Sequence, residues 1–547
     1  MNGVSRAPGV WDYLIVTASN HSQALAYESQ LRLRQQLDLL PRVRRVEVVA
    51  DLEDKRIGSG GSTVYAIAQV LNYERPAAPA DLQDTAAVTG VLRDLRILIV
   101  HAGGDSRRLP AYGPCGKIFV PVPGESQTDL AMTLFDRLVP AFLDLPEGLP
   151  GQGQIVVAAG DALIQFDGSS VRFPDRGMTA LACYAAPEEA SRHGVFCLGA
   201  GDAIAFYLQK PSLPEQQASG AINRFGKTAL DVGIMSLDAA AAAVLLRTFG
   251  SAVLLSRGVD LYREICCAMG SAATLDRYVK SSRASGSAWS DEMLAEVFPA
   301  LREIPFHVQV LPRCGFLHFG STRQLVASGL ALAMHDRGIA PAVTTLLVNN
   351  TVSGGGSVAG PDSWVEGCRI SAPLDLAGCN VVVGVDIREP LSLPREACLD
   401  VLQGQDHGGA GIWFVRCYGI DDTFKDEVSK GARFCGRRLS EWIATAGADP
   451  RDIWPATIDP PDRSLWNARV FPAETSTEGF RNWLWMWTPE SATAEQKQNY
   501  LSADRYSAAE SALLADHQAF HARRHAIRAG EIQRSLSHLF SRESGNQ

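Results

Sequence analysis

The chain has 547 residues, which is too long for one ordinary domain and predicts two to four compact units. Hydrophobic residues make up 46% and charged residues 20% of the chain, which excludes a largely disordered protein. The net charge of −9 argues against a nucleic-acid polymer as partner. The sequence contains no signal peptide, no apolar run long enough for a membrane span and no CxxC pair among its eleven cysteines. We therefore expect a cytoplasmic protein with reduced thiols and no membrane partner.

The first seventy residues alternate between strand and helix patterns. Residues 13–17 predict a buried strand, residues 23–40 a helix capped by Asn20 or Ser22, and residues 46–50 a second strand. A Gly/Ser loop at residues 56–63 opens the next helix. Such a loop is either a plain helix entry or an anion site made by free N–H groups, and it has neither the P-loop nor the dinucleotide spacing.

The most informative stretch covers residues 97–121. An apolar strand ends in the paired glycines Gly103 and Gly104, and the cations Arg107, Arg108 and Lys117 follow. Paired glycines let the backbone approach a ligand closely, and their N–H groups add to the positive potential of the three side chains. The stretch therefore predicts a site for a phosphate chain and points to nucleotide chemistry.

After Pro123 the pattern again alternates, with strands predicted at residues 154–159 and 178–184 and an amphipathic helix at residues 130–143. This order predicts an α/β fold with a doubly wound, mainly parallel, Rossmann-like sheet that binds ligands at the carboxyl ends of its strands. Asp161 follows Gly160 directly after one of these strands. A carboxylate in that position is a candidate Mg²⁺ ligand, although a lone Gly-Asp is as well explained by a turn.

From about residue 344 the pattern changes to apolar residues at every sixth position: Leu346, Val352, Val358, Trp364, Ile370, Leu376 and Val382. A period of six predicts a short β-helix of the left-handed type, and a β-rich linker is the alternative. The rest of the chain is rich in tryptophan and then helical, which favours packing between domains. We expect three segments: a catalytic domain at residues 1–343, the β-helix at 344–420 and a C-terminal region at 421–547.

Four further short motifs follow the glycine pair in order. They are Gly160-Asp161, Gly194 at the start of a strand, Lys210 at the end of a strand, and Asp231 with Gly233 inside another. In this order the motifs resemble those of the sugar-nucleotide pyrophosphorylases. Ser106 and Arg107 replace the usual Gly-Thr, and Gln209 replaces a glutamate, which separates the chain from the glucose-1-phosphate enzymes.

The resemblance becomes narrower over residues 102–110 and 116–117, which are similar to the L-fucose-1-phosphate guanylyltransferase family. Residues 11–14, 58–63, 259–262 and 318–322 extend this similarity over most of residues 10–420. Relatives of this kind often carry a fused fucokinase. No kinase-sized segment follows the predicted β-helix, so we expect a stand-alone transferase whose sugar phosphate comes from a separate sugar kinase. Assembly into a homo-oligomer is left open.

The resemblance implies transfer of a guanylyl group from GTP to β-L-fucose 1-phosphate, with Mg²⁺ and in-line attack on the α-phosphorus. It implies catalytic roles for Arg108, Lys117 and Lys210, nucleotide binding by Ala102, Gly103, Gly104, Ser106, Arg107 and Gly160, sugar-phosphate binding by Gly194, Asp231 and Gly233, and metal binding by Asp161 and Asp260. Helix capping explains Asp260 equally well, and a turn explains Asp231. There are two alternative functions. One is the same reaction with a different sugar 1-phosphate, and the other is that of a non-catalytic regulatory subunit that binds a GDP-sugar.

Overall fold

The computed structural model describes residues 9–76, 81–173, 176–199, 203–338, 344–422 and 424–544. The chain divides into two compact units. Unit 1 comprises Met1–Gly104 and Leu138–Phe316, and unit 2 comprises Asp105–Arg137 and Leu317–Gln547. This division differs from the three predicted segments, because residues 105–137 leave the N-terminal part of the chain and join the C-terminal part.

Unit 1 is built on a sheet flanked by helices. Its strands are β1 (Trp11–Ala18), β2 (Val43–Ala50), β3 (Arg96–His101), β4 (Gln154–Ala159), β5 (Ala162–Phe166), β6 (Met178–Ala185), β7 (Gly194–Leu198), β8 (Ile204–Gln209), β9 (Thr228–Leu237) and β10 (Phe306–Leu311). Its helices are α1 (His21–Gln36), α2 (Gly58–Glu74), α3 (Thr85–Leu92), α4 (Leu134–Leu143, which crosses the division), α5 (Pro187–Ala190), α6 (Leu213–Ala218), α7 (Ala239–Phe249), α8 (Ala252–Ser256), α9 (Leu275–Ala284) and α10 (Asp291–Arg302).

The main sheet has the strand order β10-β6-β9-β4-β3-β1-β2, with β7 and β8 beside β9. Strands β1 to β4 are parallel to one another, and so are β6 and β10. Strand β9 is antiparallel to β4 and β6, and β7 is antiparallel to β8 and β9. Because β9 is antiparallel to both β4 and β6, strands β1 to β4, β6 and β10 all run in one direction. The prediction of a mainly parallel sheet is therefore confirmed, and within this strand order β9 is the strand that makes the sheet mixed. The short connection between β7 and β8 permits a hairpin but not a parallel crossover.

The core of unit 1 lies between the sheet and its helices. Every residue of β1 is buried, as expected for a central strand covered on both faces. Apolar residues of α2 and α7, such as Ile67 and Leu246, pack with Ile97 and Ile155 in the same cluster. Asn20 caps α1, because its side chain accepts a 2.8 Å hydrogen bond from the N–H of Gln23. Helix α3 was not predicted, and the surface insertion that the prolines and polar residues of residues 76–84 predict lies partly outside the described residues, at residues 77–80.

Unit 2 begins its C-terminal part within β11 (Cys314–His318) and continues with α11 (Thr322–Arg337) and a series of short strands. These strands are β12 (Leu346–Val348), β13 (Thr351–Val352), β14 (Ser357–Ala359), β15 (Trp364–Glu366), β16 (Arg369–Ile370), β17 (Pro373–Leu376), β18 (Val381–Val383), β19 (Asp386–Ile387), β20 (Leu391–Leu393) and β21 (Ala397–Gln405). They form three parallel ladders, β12-β15-β18-β21, β13-β16-β19 and β14-β17-β20. We call residues 346–405 the three-ladder segment.

Each strand from β15 to β21 buries at least one apolar residue. Trp364, Ile370, Leu376 and Val382 are buried, as the six-residue period predicts, whereas Val352 near its start is 43% exposed. Paired strands are 16 to 18 residues apart in sequence, as the register Leu346↔Trp364 and Ser357↔Pro373 illustrates. One coil therefore contains about three of the six-residue repeats read from the sequence.

The remaining elements of unit 2 pack around aromatic residues. They are β22 (Gly411–Gly419), β23 (Arg433–Phe434), β24 (Arg437–Arg438), β25 (Phe471–Glu474), β26 (Arg505–Tyr506), α12 (Leu439–Ala446), α13 (Pro450–Ile453), α14 (Ala494–Ser502), α15 (Ala508–Leu514) and α16 (His517–Ser544). Buried Trp442 stacks on Trp485 with ring centroids 6.3 Å apart. Within the described part of the chain, no helix has the length and hydropathy that a membrane crossing requires.

Candidate active site

The loop after β3 presents two glycine N–H groups at the carboxyl end of the sheet. The hydroxyl of Tyr27 donates a 2.9 Å hydrogen bond to the carbonyl of Ala102, and the side-chain amide of Gln23 donates to the carbonyl of Gly104 at 3.2 Å. Helix α1 therefore holds the carbonyl groups of the loop. The N–H groups of Gly103 and Gly104 donate to no acceptor among the described residues, so both are available to a phosphate oxygen.

The local backbone explains why each of these two positions is a glycine. A Cβ at Gly103 would lie 3.3 Å from the backbone of Ala18 and Ser19, so the loop passes close to the end of β1. Gly104 has a φ of +127°, which residues with a side chain rarely adopt. The glycine pair thus serves a tight turn, and its role in ligand approach stays a prediction.

Asp161 lies at the end of the neighbouring strand. The N–H of Gly160 donates a 2.9 Å hydrogen bond to the carbonyl of His101, which extends the β3–β4 ladder by one step. This bond places Asp161 next to the loop that carries Gly103, and its side chain is half-buried. It also occupies the N–H of Gly160, which is therefore not a phosphate donor.

Asp260 caps the π-helical turn Leu261–Ile265, and one of its oxygens, Oδ1, accepts from the N–H groups of Tyr262 and Arg263 at 3.0 Å each. The Gly/Ser loop packs against this turn. The N–H of Gly61 donates to the carbonyl of Val259 at 2.9 Å, and the hydroxyl of Ser59 accepts from the N–H of Leu261 at 2.9 Å. The Gly/Ser loop therefore forms a helix entry that packs against the Asp260 turn through Gly61 and Ser59, and the N–H of Gly61 is engaged in the fold.

His101 joins the same cluster and was not assigned a role from the sequence. The hydroxyl of Thr63 donates to the carbonyl of Ser59 at 3.0 Å, so it accepts from Nε2 of His101 at 2.9 Å. This arrangement fixes the tautomer of His101 with its proton on Nε2. Burial lowers the pKa of His101 to about 4, and the nearby Asp260 carboxylate opposes this shift. His101 is consequently a neutral ring at neutral pH.

Asp231 lies inside β9 and not at a strand end. Its oxygens accept from the N–H of Gly233 at 2.7 Å and from the hydroxyl of Tyr207 at 3.0 Å. The sheet is irregular here, because the β6–β9 register shifts and Gly233 has a φ of +76°. Burial raises the pKa of Asp231 to about 6, although both hydrogen bonds favour the carboxylate. These contacts show that Asp231 and Gly233 shape a bulge.

Gly194 and Lys210 lie at the same, open end of the β7–β8 hairpin, where Gly194 pairs with Gln209. A Cβ at Gly194 would lie 1.7 Å from the hydroxyl oxygen of Tyr207, so only glycine fits above this ring. Lys210 follows β8 directly, is exposed, and has a φ of +50°. Its N–H donates to the carbonyl of His193 at 2.9 Å, which fixes where the side chain leaves the sheet.

The charges of three carboxylates of unit 1 act on the phenol of Tyr262. Burial raises the pKa of its phenol well above the ordinary value, and the charges of Asp231, Asp260 and Asp161 raise it further. The described residues contain no group of three or more His, Cys, Asp or Glu side chains arranged to hold a metal by themselves. Two carboxylates together with phosphate oxygens and water are nevertheless the ligand set that Mg²⁺ usually takes at nucleotide sites. Asp161 and the second oxygen of Asp260 fit that set.

The three cations that follow the glycine pair, Arg107, Arg108 and Lys117, belong to unit 2. Arg107 is paired with Asp105 at 2.9 Å, and its guanidinium carbon lies 5.4 Å from the centroid of the Trp466 ring. The exposed side chain of Arg108 makes no ion pair or hydrogen bond with the described residues, while its carbonyl accepts from the N–H of Thr322 at 2.8 Å. Arg108 is therefore available to a ligand, whereas Arg107 is engaged in the fold.

Ser106 and Lys117 are the other two predicted site residues of unit 2. Ser106 has a φ of +54°, is 4% exposed, and its hydroxyl has no hydrogen-bond partner among the described residues. A buried hydroxyl without a partner is costly, which is consistent with a ligand contact. Gly116, with a φ of +63°, precedes Lys117 and turns the chain into the short helix Lys117–Phe119.

The rest of unit 2 holds this cationic segment, residues 105–137, by buried polar contacts. The indole N–H of Trp364 donates to the hydroxyl of Tyr112 at 2.8 Å, and that hydroxyl donates to Glu366 at 3.2 Å. Arg416 forms a buried ion pair with Asp400 and also donates to the carbonyl of Pro110 at 2.9 Å. The three-ladder segment and β22 therefore fix the backbone that carries Arg108 and Lys117.

Comparison with known proteins now gives the family. The family model for the fucose pyrophosphorylase domain matches residues 89–476. The chain belongs to this family. The match covers both the glycine pair and the cationic segment, and it continues through the three-ladder segment into the tryptophan-rich region.

Relatives of the fucose pyrophosphorylase family resemble the chain along most of its length. The L-fucokinase/L-fucose-1-P guanylyltransferase of Bacteroides fragilis is 26% identical over 76% of this chain and 42% of that protein. The bifunctional fucokinase/GDP-fucose pyrophosphorylase of Arabidopsis thaliana is 27% identical over 82% and 46%. The fucose-1-phosphate guanylyltransferase of Mus musculus is 24% identical over 76% and 75%. The chain thus spans less than half the length of the two bifunctional relatives.

A solved structure, the mannose-1-phosphate geranyltransferase from Thermus thermophilus, aligns over 75% of this chain and 96% of that chain. The TM-score of 0.26 and the identity of 14% are too low to carry an argument about the fold.

Proposed function

We propose that the protein is a sugar-1-phosphate guanylyltransferase that forms GDP-L-fucose and pyrophosphate from GTP and β-L-fucose 1-phosphate. The observation that carries the proposal is the pair of unpartnered N–H groups of Gly103 and Gly104 beside Asp161, in a chain of the fucose pyrophosphorylase family. The guanylyltransferase activities for which the Bacteroides fragilis and Mus musculus relatives are named support the choice of nucleotide and sugar.

In the proposed reaction an oxygen of the sugar phosphate attacks the α-phosphorus of GTP. The new P–O bond forms in line with the bond to the β-phosphate, which breaks, and its electron pair leaves with pyrophosphate. The attacking phosphate is already an anion, so no general base is required. Catalysis then consists of positioning the two substrates and neutralising charge.

We propose a role for each site residue from the chemistry of its side chain or backbone groups. The N–H groups of Gly103 and Gly104 bind the triphosphate, and Arg108 and Lys117 stabilise the leaving pyrophosphate. Exposed Lys210 holds the sugar phosphate. We propose that Asp231, Gly194 and Gly233 support this part of the sheet, since the oxygens of Asp231 already accept two hydrogen bonds.

Mg²⁺ is the proposed cofactor, held by Asp161 and Asp260 together with substrate oxygens. When bound, it would neutralise charge on the triphosphate. His101 keeps Thr63, and through it the entry of α2, against the turn that carries Asp260. A neutral ring in this place adds no positive charge beside the two carboxylates.

We further propose that the three-ladder segment is a β-helix of the left-handed type and that the protein works in the cytoplasm. Two alternatives to the main proposal keep the same fold: another sugar 1-phosphate as acceptor, or a non-catalytic subunit that binds a GDP-sugar. The side chain of Arg108 is exposed and has no partner among the residues that the structure describes, which favours a catalyst over the silent subunit.

A substrate panel tests the proposal. Purified protein with Mg²⁺ is mixed with each of four nucleoside triphosphates and a set of sugar 1-phosphates, and release of pyrophosphate is measured. We expect the fastest release with GTP and β-L-fucose 1-phosphate. A faster rate with another sugar would replace the acceptor, and no release with any pair, from a protein that binds GDP-L-fucose, would favour the silent subunit.

A further inference from the structure

Unit 2 contains a cavity of about 330 Å³ between the three-ladder segment and the first turns of α16. It lies apart from the residues assigned above. Its polar and aromatic lining consists of Arg369, Asp400, Gln403, Trp413, Arg523 and Arg524. Small side chains of α16, including Ala522 and Ala526, leave it open. We call it the arginine cavity.

The charges of the arginine cavity are only partly balanced. Arg523 is paired with Asp386, Arg524 with Glu366 at 2.6 Å, and Asp400 with Arg416 at 2.6 Å. The exposed guanidinium of Arg369 has no ion pair among the described residues. One positive charge at the mouth therefore remains to attract an anion.

One buried polar atom of a lining residue also lacks a partner among the described residues. It is the Nε of Arg524, a residue that is 3% exposed. The carboxylate of Asp400, which is 2% exposed, is held by Arg416 at Oδ1 and by the hydroxyl of Tyr418. Buried polar atoms are nearly always satisfied, so the Nε of Arg524 beside a cavity indicates that something polar occupies it.

We propose that the arginine cavity binds a small phosphate monoester that carries hydroxyl groups. Arg369 and Arg523 offer guanidinium donors to the phosphate. Asp400 and Gln403 offer acceptors to hydroxyl groups, and Trp413 offers an apolar face to a sugar ring. The volume lies at the lower end of the range for small-molecule sites, which suits a sugar phosphate better than a dinucleotide.

The position of the cavity connects it with the cationic segment. Ala111, three residues after Arg108, lines it. Arg416 joins Asp400 to the carbonyl of Pro110. A ligand that hydrogen-bonds Asp400 therefore lies two contacts from the backbone that precedes Lys117.

Calorimetric titration of the full chain with ribose 5-phosphate, which is not a 1-phosphate, tests the site. We expect saturable binding that is at least about tenfold weaker in Arg369→Ala, since hydrogen bonds to charged groups are worth about 1.5–3 kcal/mol. Ala522→Trp should abolish it by filling the opening. Arg395→Ala, another exposed arginine of the three-ladder segment, and Ala529→Trp, an exposed position of α16 outside the lining, are the matched controls and should bind normally.

Lys210→Ala separates this site from the proposed active site. Binding of ribose 5-phosphate that survives Lys210→Ala and weakens in Arg369→Ala supports the proposal. The reverse pattern, or no binding by the wild-type chain, overturns it. Inorganic phosphate should bind at least about tenfold more weakly than ribose 5-phosphate, because it cannot supply the sugar hydroxyl groups. Equal affinities would show that Asp400 and Gln403 recognise nothing and would also overturn it.

Discussion

The indole N–H of Trp364 donates a 2.8 Å hydrogen bond to the hydroxyl of Tyr112, five residues before Lys117. A core residue of the three-ladder segment thus touches the segment with the proposed catalytic cations. Both side chains are fully buried. The contact gives this segment a part in placing Arg108 and Lys117, in addition to its own stability.

Removing this hydrogen bond should lower both stability and turnover. Trp364→Phe and Tyr112→Phe keep an aromatic ring, and each should cost about 1–2 kcal/mol of unfolding free energy. We expect the double variant to cost less than the sum of the two, because the partners share one interaction. Urea unfolding and steady-state rates of the four proteins measure the coupling. Strict additivity would show that the hydrogen bond contributes nothing.

Arg107 and Arg108 should respond differently to truncation. Arg108 is exposed and unpaired within the described residues, so Arg108→Ala should lower kcat by about 10²–10³-fold, as expected for loss of a charge-stabilising donor. Arg107 is paired with Asp105, so Arg107→Ala should change kcat by less than about tenfold. Pyrophosphate release gives both rates. Equal losses would place both guanidinium groups on the substrate.

Gly104→Ala should damage nucleotide binding. A φ of +127° costs an alanine about 1–3 kcal/mol, although no atom lies within 4 Å of its Cβ. The loop will then shift, and we expect the KM for GTP to rise at least about tenfold. Gly90→Ala is the control, because that glycine lies in α3 with open space around it. An unchanged KM for Gly104→Ala would remove the loop from the triphosphate site.

Asp260 has a capping role that can be separated from metal binding. Asp260→Ser keeps a side-chain oxygen that can cap the turn but removes the carboxylate. We expect a nearly unchanged thermal midpoint together with a higher Mg²⁺ concentration for half-maximal rate. Asp161→Asn should show the same Mg²⁺ shift. If Asp260→Ser has wild-type Mg²⁺ dependence, its carboxylate serves the cap alone.

The pKa of Asp231 predicts a specific dependence of stability on pH. Burial raises this pKa from 3.8 to about 6, so the folded chain binds the proton more tightly than the unfolded chain. The resulting stabilisation is complete below about pH 4 and is lost as the pH rises to 6, on the order of 3 kcal/mol. Asp231→Asn should therefore flatten the curve between pH 4 and 6.

Urea midpoints of wild type and Asp231→Asn at pH 4, 5 and 6 test this dependence. Asp276→Asn, an exposed carboxylate of the same unit, should leave the slope unchanged. A wild-type slope in Asp231→Asn would mean that the carboxyl is not the group that titrates.

Patterns of local origin were predicted well from the sequence. The strand at residues 154–159 agrees with β4 at both ends, and the six-residue period identified the residues that fill the three-ladder segment. The glycine pair was placed correctly at the end of β3, because an apolar run followed by glycines is a local signal.

Features that depend on distant partners were not predicted. The sequence alone allows the Gly/Ser loop to be either a helix entry or an anion site, because the carbonyl of Val259, which accepts from the N–H of Gly61, lies about 200 residues later in the chain. No sequence motif marks His101, because its contact depends on Thr63, which lies on helix α2. The antiparallel direction of β9 follows from pairing across the sheet, which hydrophobic periodicity does not encode.

The division between Gly104 and Asp105 has a consequence for how this chain can be shortened. Residues 105–137 fold with the C-terminal half, where Tyr112, Pro110 and Pro114 contact Trp364, Arg416 and His517. A fragment that stops at residue 343 would keep residues 97–121 in its sequence. It would, however, lose the contacts that residues 105–121 make with the C-terminal half. We therefore expect that a fragment limited to the N-terminal part would not hold Arg108 and Lys117 in place.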